Sequence, residues 1–596
     1  MLPLFVALIA LATRRWYPVL DLAMTELRLR DVGKRQTPLI GLPGRIGTFP
    51  DQGSHPGPLS FWLLAPGHRL FGSSAWAMEA ATVLLHTMWV ALALWIGQRR
   101  LGRLGLVVVA AALVVLVRGY GLTVLVQPWN PYLPLLAWIV VLLAVWSVFV
   151  GDDLMLIPLT LAATFVAQTH IPYLPLAGSL GIVAAGVVIV RFTRDRQRPS
   201  ARLSFGVSAV VFAVAWLGPL VDQLRRDPGN VTRLIDHFTA PSADTLGLAG
   251  GIELLLRHLD LAGAYGGLLT GTGSFLDAGF DPDGAIWPGI LVFSAWVVAS
   301  AVSIRSDRRA SAGTSGWSPL TMLHVVIAIT LVLSLASMSS IFGKTWYYLT
   351  LWAWGTTTLL LVAIVWTAWT WLRDRRRVPW CNRRVAELSA LGLGVVLTIA
   401  TVAVAPSTDH PEERVGEPLG SLVEPTARAL RDGVGAATGE SGRYVVRWTD
   451  AAFFGSQGYG LVSELERVGL DAGVYETWSV PVTAHRVISA EETTAEVILA
   501  TGRFVDEWRN DPRVVEVAEV DLRTAAELQE FSDVRQELLD DLRSEGLDDL
   551  ESFVDSNLFG LLVDSRVSVR GQFLVDRLLL LGQQVAVFVG PPGVAP

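Results

Sequence analysis

The sequence predicts a polytopic α-helical membrane protein ending in a soluble α/β domain. Three observations carry that expectation. Hydrophobic residues make up 52% of 596 and mean hydropathy is +0.46, too apolar for an ordinary soluble chain. Runs long enough to cross a hydrocarbon core of about 30 Å recur through residue 405 and then stop. Beyond Pro406 short β-rich runs alternate with polar helices.

Taken in order, the apolar runs place spans near residues 2–20, 76–97, 104–126, 133–150, 154–168, 173–190, 203–220, 286–304, 318–338, 347–371 and 385–405, about eleven in all. The basic loops QRRLGR, RFTRDRQRPSAR, RSDRRAS and RDRRRVPWCNRR alternate onto one side. By the positive-inside rule that side is the cytoplasm. The other side receives 21–74, 127–132, 168–173, 221–285, 339–346 and everything after Pro406. Arg14 and Arg15 run against the rule, so they snorkel or the true start lies upstream. A cleaved signal peptide over residues 1–20 is the plainer alternative, although the positive leader of one is lacking. The expected organisation is a membrane domain over 1–405, with a catalytic outer loop 21–74 and a long outer loop 221–285, then an extracytoplasmic α/β domain over 406–596.

In the C-terminal domain RYVVRW, DAGVYE, HRVIS, TAEVILATG, RVVEVAEV and VAVFVG read as strands, and GSQGYGLVSELERVGL as a turn and helix. Asp409–Gly420 reads as a linker. Gly455, Gly458 and Gly460 do not form GxGxxG and no GK[ST] follows, so a tight helix start accounts for them better than a phosphate loop. The charged stretch ELQEFSDVRQELLDDLRSEGLDDLESF reads as a solvated helix. After Pro406 the chain carries 34 Asp and Glu against 16 Arg, a net of −18 that leaves the membrane half at +11. An acidic outer domain argues against nucleic acid as a partner. Cys381 is the single cysteine, so no disulfide framework forms within the chain.

Chemistry is expected in the outer loops. Residues 21–31, DLAMTELRLRD, set three carboxylates and two arginines beside a span, and a Gly- and Pro-rich segment then runs to Pro66, too long for a mere connector. This loop offers Asp21, Glu26, Arg28, Arg30, Asp31 and His55. Other outer loops add Trp129 and Asn130 in QPWNPY, His170 in QTHIPY, Asp222 and Gln223 in PLVDQL, and Lys344, Tyr347 and Tyr348 in FGKTWYY. Both lysines of the chain, Lys34 and Lys344, fall in these loops. A carboxylate can act as general base on a hydroxyl, cations stabilise a departing phosphate, and aromatic rings stack on sugars or line a lipid groove.

These residues resemble the GT-C superfamily of membrane glycosyltransferases, in the protein mannosyltransferase and aminoarabinose transferase branch. ELRLRD, HPGPLSFWLLAP and PLVDQLRRDPGN are similar to segments of actinobacterial members that carry an α/β domain after the last span. The resemblance implies a GT-C-like membrane domain and an inverting transfer of a sugar from a polyprenyl-phosphate donor to an acceptor hydroxyl on an envelope glycan, lipid or protein, at the outer face of the cytoplasmic membrane. Asp21 takes the position of the family's catalytic Asp, with Leu22 where relatives often have Glu. Glu26 matches a Glu one turn on and would hold the acceptor or orient Asp21. His55 stands where relatives carry Lys, and neutral imidazole is a poorer counter-ion. His55, Lys344 and Arg118 would face the donor phosphate, while Arg30, Trp129, Asn130, His170, Asp222, Gln223 and Tyr347 would bind substrate. No cofactor is required, and a divalent metal shared by Asp21 and Glu26 is left open.

Plainer roles stand beside these. Asp21 can cap a helix, Glu26 with Arg30 is an ordinary i, i+4 pair, His55 can be a loop residue, His170 can be structural, and Asp222 can start the loop helix. Arg118 inside an apolar run either faces a cavity or snorkels outward. The competing functions are a lipid-linked substrate transporter or flippase, and a membrane anchor presenting a sensor domain. The first normally needs ionisable residues at mid-membrane, and His86, His324 and Glu387 are the few such groups. The second leaves the long first loop unexplained.

Overall fold

The computed structural model describes all residues except 197, 241–243, 262–263, 267, 269–274, 279–284, 311–316, 377–381, 453–455 and 595–596. Cys381 and part of the loop 221–285 lie outside the described residues. The chain divides into two compact units. One comprises Met1–Arg14, Pro38–Gly47 and Gly53–Asp409; the other comprises Arg15–Thr37, Thr48–Gln52 and His410–Pro596. Residues 15–37, expected to end the first span and open the catalytic loop of the membrane half, therefore fold with the C-terminal segment.

The first unit is a multi-pass membrane domain. Among the described residues seven helices are long and apolar enough to cross a bilayer: Ala75–Leu101, Arg103–Tyr120, Tyr173–Arg194, Trp287–Arg309, Pro319–Ser339, Trp352–Asp374 and Arg383–Ser407. Pro199–Ala215 and Leu217–Arg225, bent by 43°, make an eighth if taken together. The expected count of about eleven is not confirmed, because Leu2–Leu11, Leu135–Phe149 and Asp153–Thr169 are shorter apolar helices. Ten residues rise only about 15 Å, half of a hydrocarbon core.

The first helix stops at Leu11, where the sequence suggested continuity to residue 20. Arg14 then donates to the Thr408 carbonyl at 2.6 Å and pairs with Asp409 at 3.4 Å. It is tied to the end of the last span, which answers its apparent misplacement. Leu135–Phe149 is apolar all round, and all of it except Phe149 is buried. Such a helix belongs inside a bundle, and it packs against Ala75–Leu101, Leu156–Thr169, Tyr173–Arg194 and the Trp352–Arg376 helix.

Beyond the C-terminal end of this inner helix, Asp152 pairs with Arg99 at 2.6 Å and with Arg100, and Asp153 pairs with Arg191 at 3.2 Å and Arg198 at 3.3 Å. Arg191 also donates to the Phe149 carbonyl at 2.9 Å, placing a cation where the helix dipole favours one. Arginines of two of the four loops that set the orientation thus gather at this helix end.

The second unit holds a five-stranded sheet of order β2-β1-β3-β5-β4, with β1 Arg443–Thr449, β2 Asp471–Gly473, β3 Ala495–Thr501, β4 Val515–Val520 and β5 Val585–Gly590. β1 is parallel to β2 and β3; β5 runs antiparallel to β3 and β4. β3 and β5 are buried along their whole length, as their near-continuous apolar sequences require. HRVIS makes only a bridge, Val474 to Val487, after a short helical turn. The charged helical stretch spans Ala525–Ser544 behind a Thr524–Glu527 capping box and breaks before Gly546, whose φ is +73°.

Candidate functional site

In the membrane unit the site begins with the loop that carries His55. Residues 41–46 pair back on 53–55 through Gly41 N–H to the His55 carbonyl at 3.0 Å, His55 N–H to Leu42 at 2.8 Å and Gly53 N–H to Ile46 at 2.7 Å. Gly41 permits this, since a Cβ there would lie 2.7 Å from His55 Cβ. Asn230 clamps the same loop, accepting from Ser54 N–H at 2.8 Å and donating to the Ser54 carbonyl at 3.0 Å. His55 Nδ1 accepts from Ile171 N–H at 3.1 Å, which leaves the imidazole proton on Nε2. Burial holds His55 down to about 4, so at neutral pH it is an uncharged hydrogen-bond donor and not a counter-ion.

From His55 a chain of ring contacts joins residues of four separate loops. His170 lies 5.2 Å from His55 and 6.2 Å from Tyr348, centroid to centroid. Tyr348 meets the edge of Trp129 at 5.0 Å, and Trp129 meets Tyr132 at 4.8 Å. Tyr132 and Tyr347 share a hydroxyl hydrogen bond of 2.6 Å. Trp346 stacks on Tyr348 at 6.0 Å, with Lys344 Nζ 4.8 Å and the Arg45 guanidinium 4.5 Å from its ring centroid. Arg45 was absent from the sequence reading. Its only signal was a cation within LPGRIG, and pairing of 41–46 with 53–55 is what brings it here.

Buried polar atoms of this region without a hydrogen-bond partner among the described residues include Gln168 Oε1, His170 Nδ1 and the Tyr173 hydroxyl. Such orphans are few in native folds. Burial lowers the His170 pKa well below its ordinary value, and the nearby His55 lowers it further.

Other expected substrate-binding residues are used differently. Asp222 accepts from Asn230 N–H at 3.1 Å and pairs with Arg226 at 3.2 Å. Gln223 accepts from Val231 N–H at 2.9 Å and Thr232 N–H at 3.2 Å. Both side chains serve the first turn of helix Asn230–Thr239, whose N–H groups lack helical partners. Asn130 is buried in the turn that leads into the inner helix. Arg118 donates to the Leu268 carbonyl at 3.3 Å and not toward the His55 chain.

In the second unit helix Leu20–Asp31 packs on helix Ser456–Arg467. Glu26 is fully buried; it pairs with Arg30 at 2.9 Å and with Arg467, and accepts from Ser463 at 3.3 Å. Arg30 also donates to the Ser463 carbonyl at 2.8 Å. Arg486 holds Asp31 at 2.7 Å and Glu466 at 2.6 Å, and despite burial the hydrogen bonds from His485 and Arg486 keep the Asp31 carboxyl below its usual range. Glu26 and Arg30 thus bind this helix to its own unit. Asp21, five residues before Glu26, projects about 140° away around the helix, so the two do not converge on one ion. A metal shared by them does not fit a Glu26 already engaged by two guanidinium groups. Asp21 raises the Tyr459 pKa, after burial and ahead of Asp450.

No family model matches the chain, and no curated protein matches it. Solved structures similar to it belong to the GT-C superfamily. ArnT from Cupriavidus metallidurans, an aminoarabinose transferase, is similar at 13% identity and a TM-score of 0.48, over 86% of this chain and 94% of that one. The same protein bound to undecaprenyl phosphate is similar at 13% and 0.48, over 87% and 95%. The oligosaccharyltransferase AglB of Archaeoglobus fulgidus, in complex with an inhibitory peptide and a dolichol-phosphate, is similar at 11% and 0.37, over 84% and 69%.

Proposed function

We propose that the chain is an inverting membrane glycosyltransferase that moves a sugar from a polyprenyl-phosphate donor to a hydroxyl of an envelope glycan, lipid or protein. The observation that carries this reading is the convergence of His55, His170, Trp129, Tyr347 and Lys344 with Arg45, five loop residues singled out by chemistry and a sixth found beside them. Two cations on one indole, a neutral imidazole donor and a wall of aromatic rings suit a phosphate attached to a lipid and a sugar. The orphaned Gln168, His170 and Tyr173 atoms suit a polar ligand among them.

In this reading the acceptor oxygen bonds to the anomeric carbon while the bond from that carbon to the phosphate oxygen breaks. The acceptor proton passes to a general base, the role that the resemblance assigns to Asp21. The polyprenyl phosphate leaves with the bonding electron pair, and Lys344, Arg45 and the His55 Nε2–H stabilise the charge that develops on it. A non-cytoplasmic reaction is supported by His170 closing the helix end opposite to Asp153 and its arginine partners. Protease protection of the C-terminal unit in sealed spheroplasts tests that side.

The deciding experiment is transfer from a set of polyprenyl-phosphate sugars in membranes, with Asp21→Asn and Lys344→Ala beside the wild type. Loss of turnover in the first and a raised donor KM in the second are expected. Equal activity of Asp21→Asn would overturn the mechanism, and absence of transfer from every donor would overturn the function.

A further inference from the structure

The C-terminal unit carries a second constellation that the reaction chemistry above does not use. Strand order β2-β1-β3 means that the chain leaves β1 toward β2 on one side, while β3 lies on the other. In such sheets the carboxyl ends of the two diverging strands border a crevice, the usual ligand position of open α/β sheets. The crevice edge is held in shape here. Asp450 accepts from Thr501 Oγ1 at 3.0 Å and Ala452 N–H at 2.8 Å, and Ala451 N–H donates to Thr501 Oγ1 at 2.8 Å.

Around this edge stands an aromatic group. Trp448, at the end of β1, lies 4.6 Å from Trp478 and 5.0 Å from Tyr459. Trp478 in turn lies 4.9 Å from Phe49, a ring that is 51% exposed. Gly458 fixes the position of Trp448, because a Cβ there would fall 2.3 Å from the indole Cε3. Tyr459 feels the carboxylates of both Asp21 and Asp450. Rings that present apolar faces beside carboxylates that accept hydroxyl protons match a sugar, which has a C–H face and a belt of hydroxyls. The Asp450 carboxylate repels phosphate, and the stretch after Pro406 carries a net charge of −18. A nucleotide or an anionic headgroup is therefore disfavoured against a neutral glycan.

We propose that this crevice, walled by Trp448, Trp478 and Phe49 and bordered by Asp450, binds a sugar ring of a neutral glycan acceptor. The assignment rests on the glycosyltransferase reading and narrows its acceptor class to a glycan. The test uses the full chain in lipid nanodiscs, titrated calorimetrically with α-1,6-mannotriose, α-1,5-arabinotriose, maltotriose and UMP, and separately with undecaprenyl phosphate. At least one trisaccharide binds saturably, Trp478→Ala, Phe49→Ala and Gly458→Ala each weaken it at least fivefold, and Arg570→Ala, on the helix Val569–Leu581, leaves it unchanged. Phe49 is half exposed, so its truncation keeps the test valid should Trp478→Ala misfold.

Failure of all three trisaccharides to bind, wild-type affinity in both Trp478→Ala and Phe49→Ala, or binding of UMP at the crevice in place of a glycan would overturn the assignment. Failure of undecaprenyl phosphate to bind would count against the donor reading alone, so the two failures are distinguishable.

Discussion

Charge at the proposed donor cluster comes from Lys344 and Arg45, because burial keeps His55 uncharged, down at about 4. Lys344→Ala and Arg45→Ala should each raise the donor KM about tenfold, the loss of one charge-assisted contact of about 1.4 kcal/mol, read from initial rates. His55 instead couples the fold to pH. Its folded pKa lies below the unfolded value near 6.5, so the unfolded chain takes the proton first as pH falls. Its contribution to stability is complete above about pH 6.5 and declines at up to about 1.4 kcal/mol per pH unit down to pH 4. Thermal unfolding at pH 7.5, 5.5 and 4.5 should show this slope reduced in His55→Asn. Glu26 and Asp21 separate by the same logic of burial. Glu26→Ala strands Arg30 and Arg467 without their shared carboxylate and should cost about 3–5 kcal/mol of stability, whereas Asp21→Asn should leave the melting temperature unchanged and abolish transfer.

At the scale of elements, the Asn230–Thr239 helix depends on side chains from outside it. Gln223 takes two of its first N–H groups, so Gln223→Ala should destabilise that turn by about 1 kcal/mol, seen as faster amide exchange over 230–234. Asp222 and Gln223 looked like substrate ligands because PLVDQL offers polar groups after an apolar run. Which backbone they meet depends on where the chain returns after Pro228, and no local pattern carries that. The helix Leu20–Asp31 was legible as a helix from its composition, but its partner was not. Its Arg28 donates to the Pro481 carbonyl at 2.8 Å and its Asp31 meets Arg486, contacts more than 450 residues away in sequence.

At the scale of the molecule, residues 15–37 belong to the C-terminal unit. A fragment of 410–596 should therefore melt lower than the same fragment joined to 15–37, since alone it leaves Arg467 and Arg486 without Glu26 and Asp31; calorimetry of both fragments checks this. What the sequence determined by itself was whatever depends on neighbours along the chain. Apolar length marks helices suited to a bilayer, arginine loops mark one end of them, and a change to alternating short strands marks a second fold. It also singled out His55, His170, Trp129, Lys344 and Tyr347 by residue type. Tertiary structure alone decided which loops meet, that Arg45 joins Lys344 on Trp346, that Glu26 is consumed in ion pairs, and that Trp478 and Phe49 gather beside Trp448. The physical reason is that pairing of distant groups depends on close packing and burial in three dimensions, whereas hydropathy and helix periodicity are properties of the chain read in order.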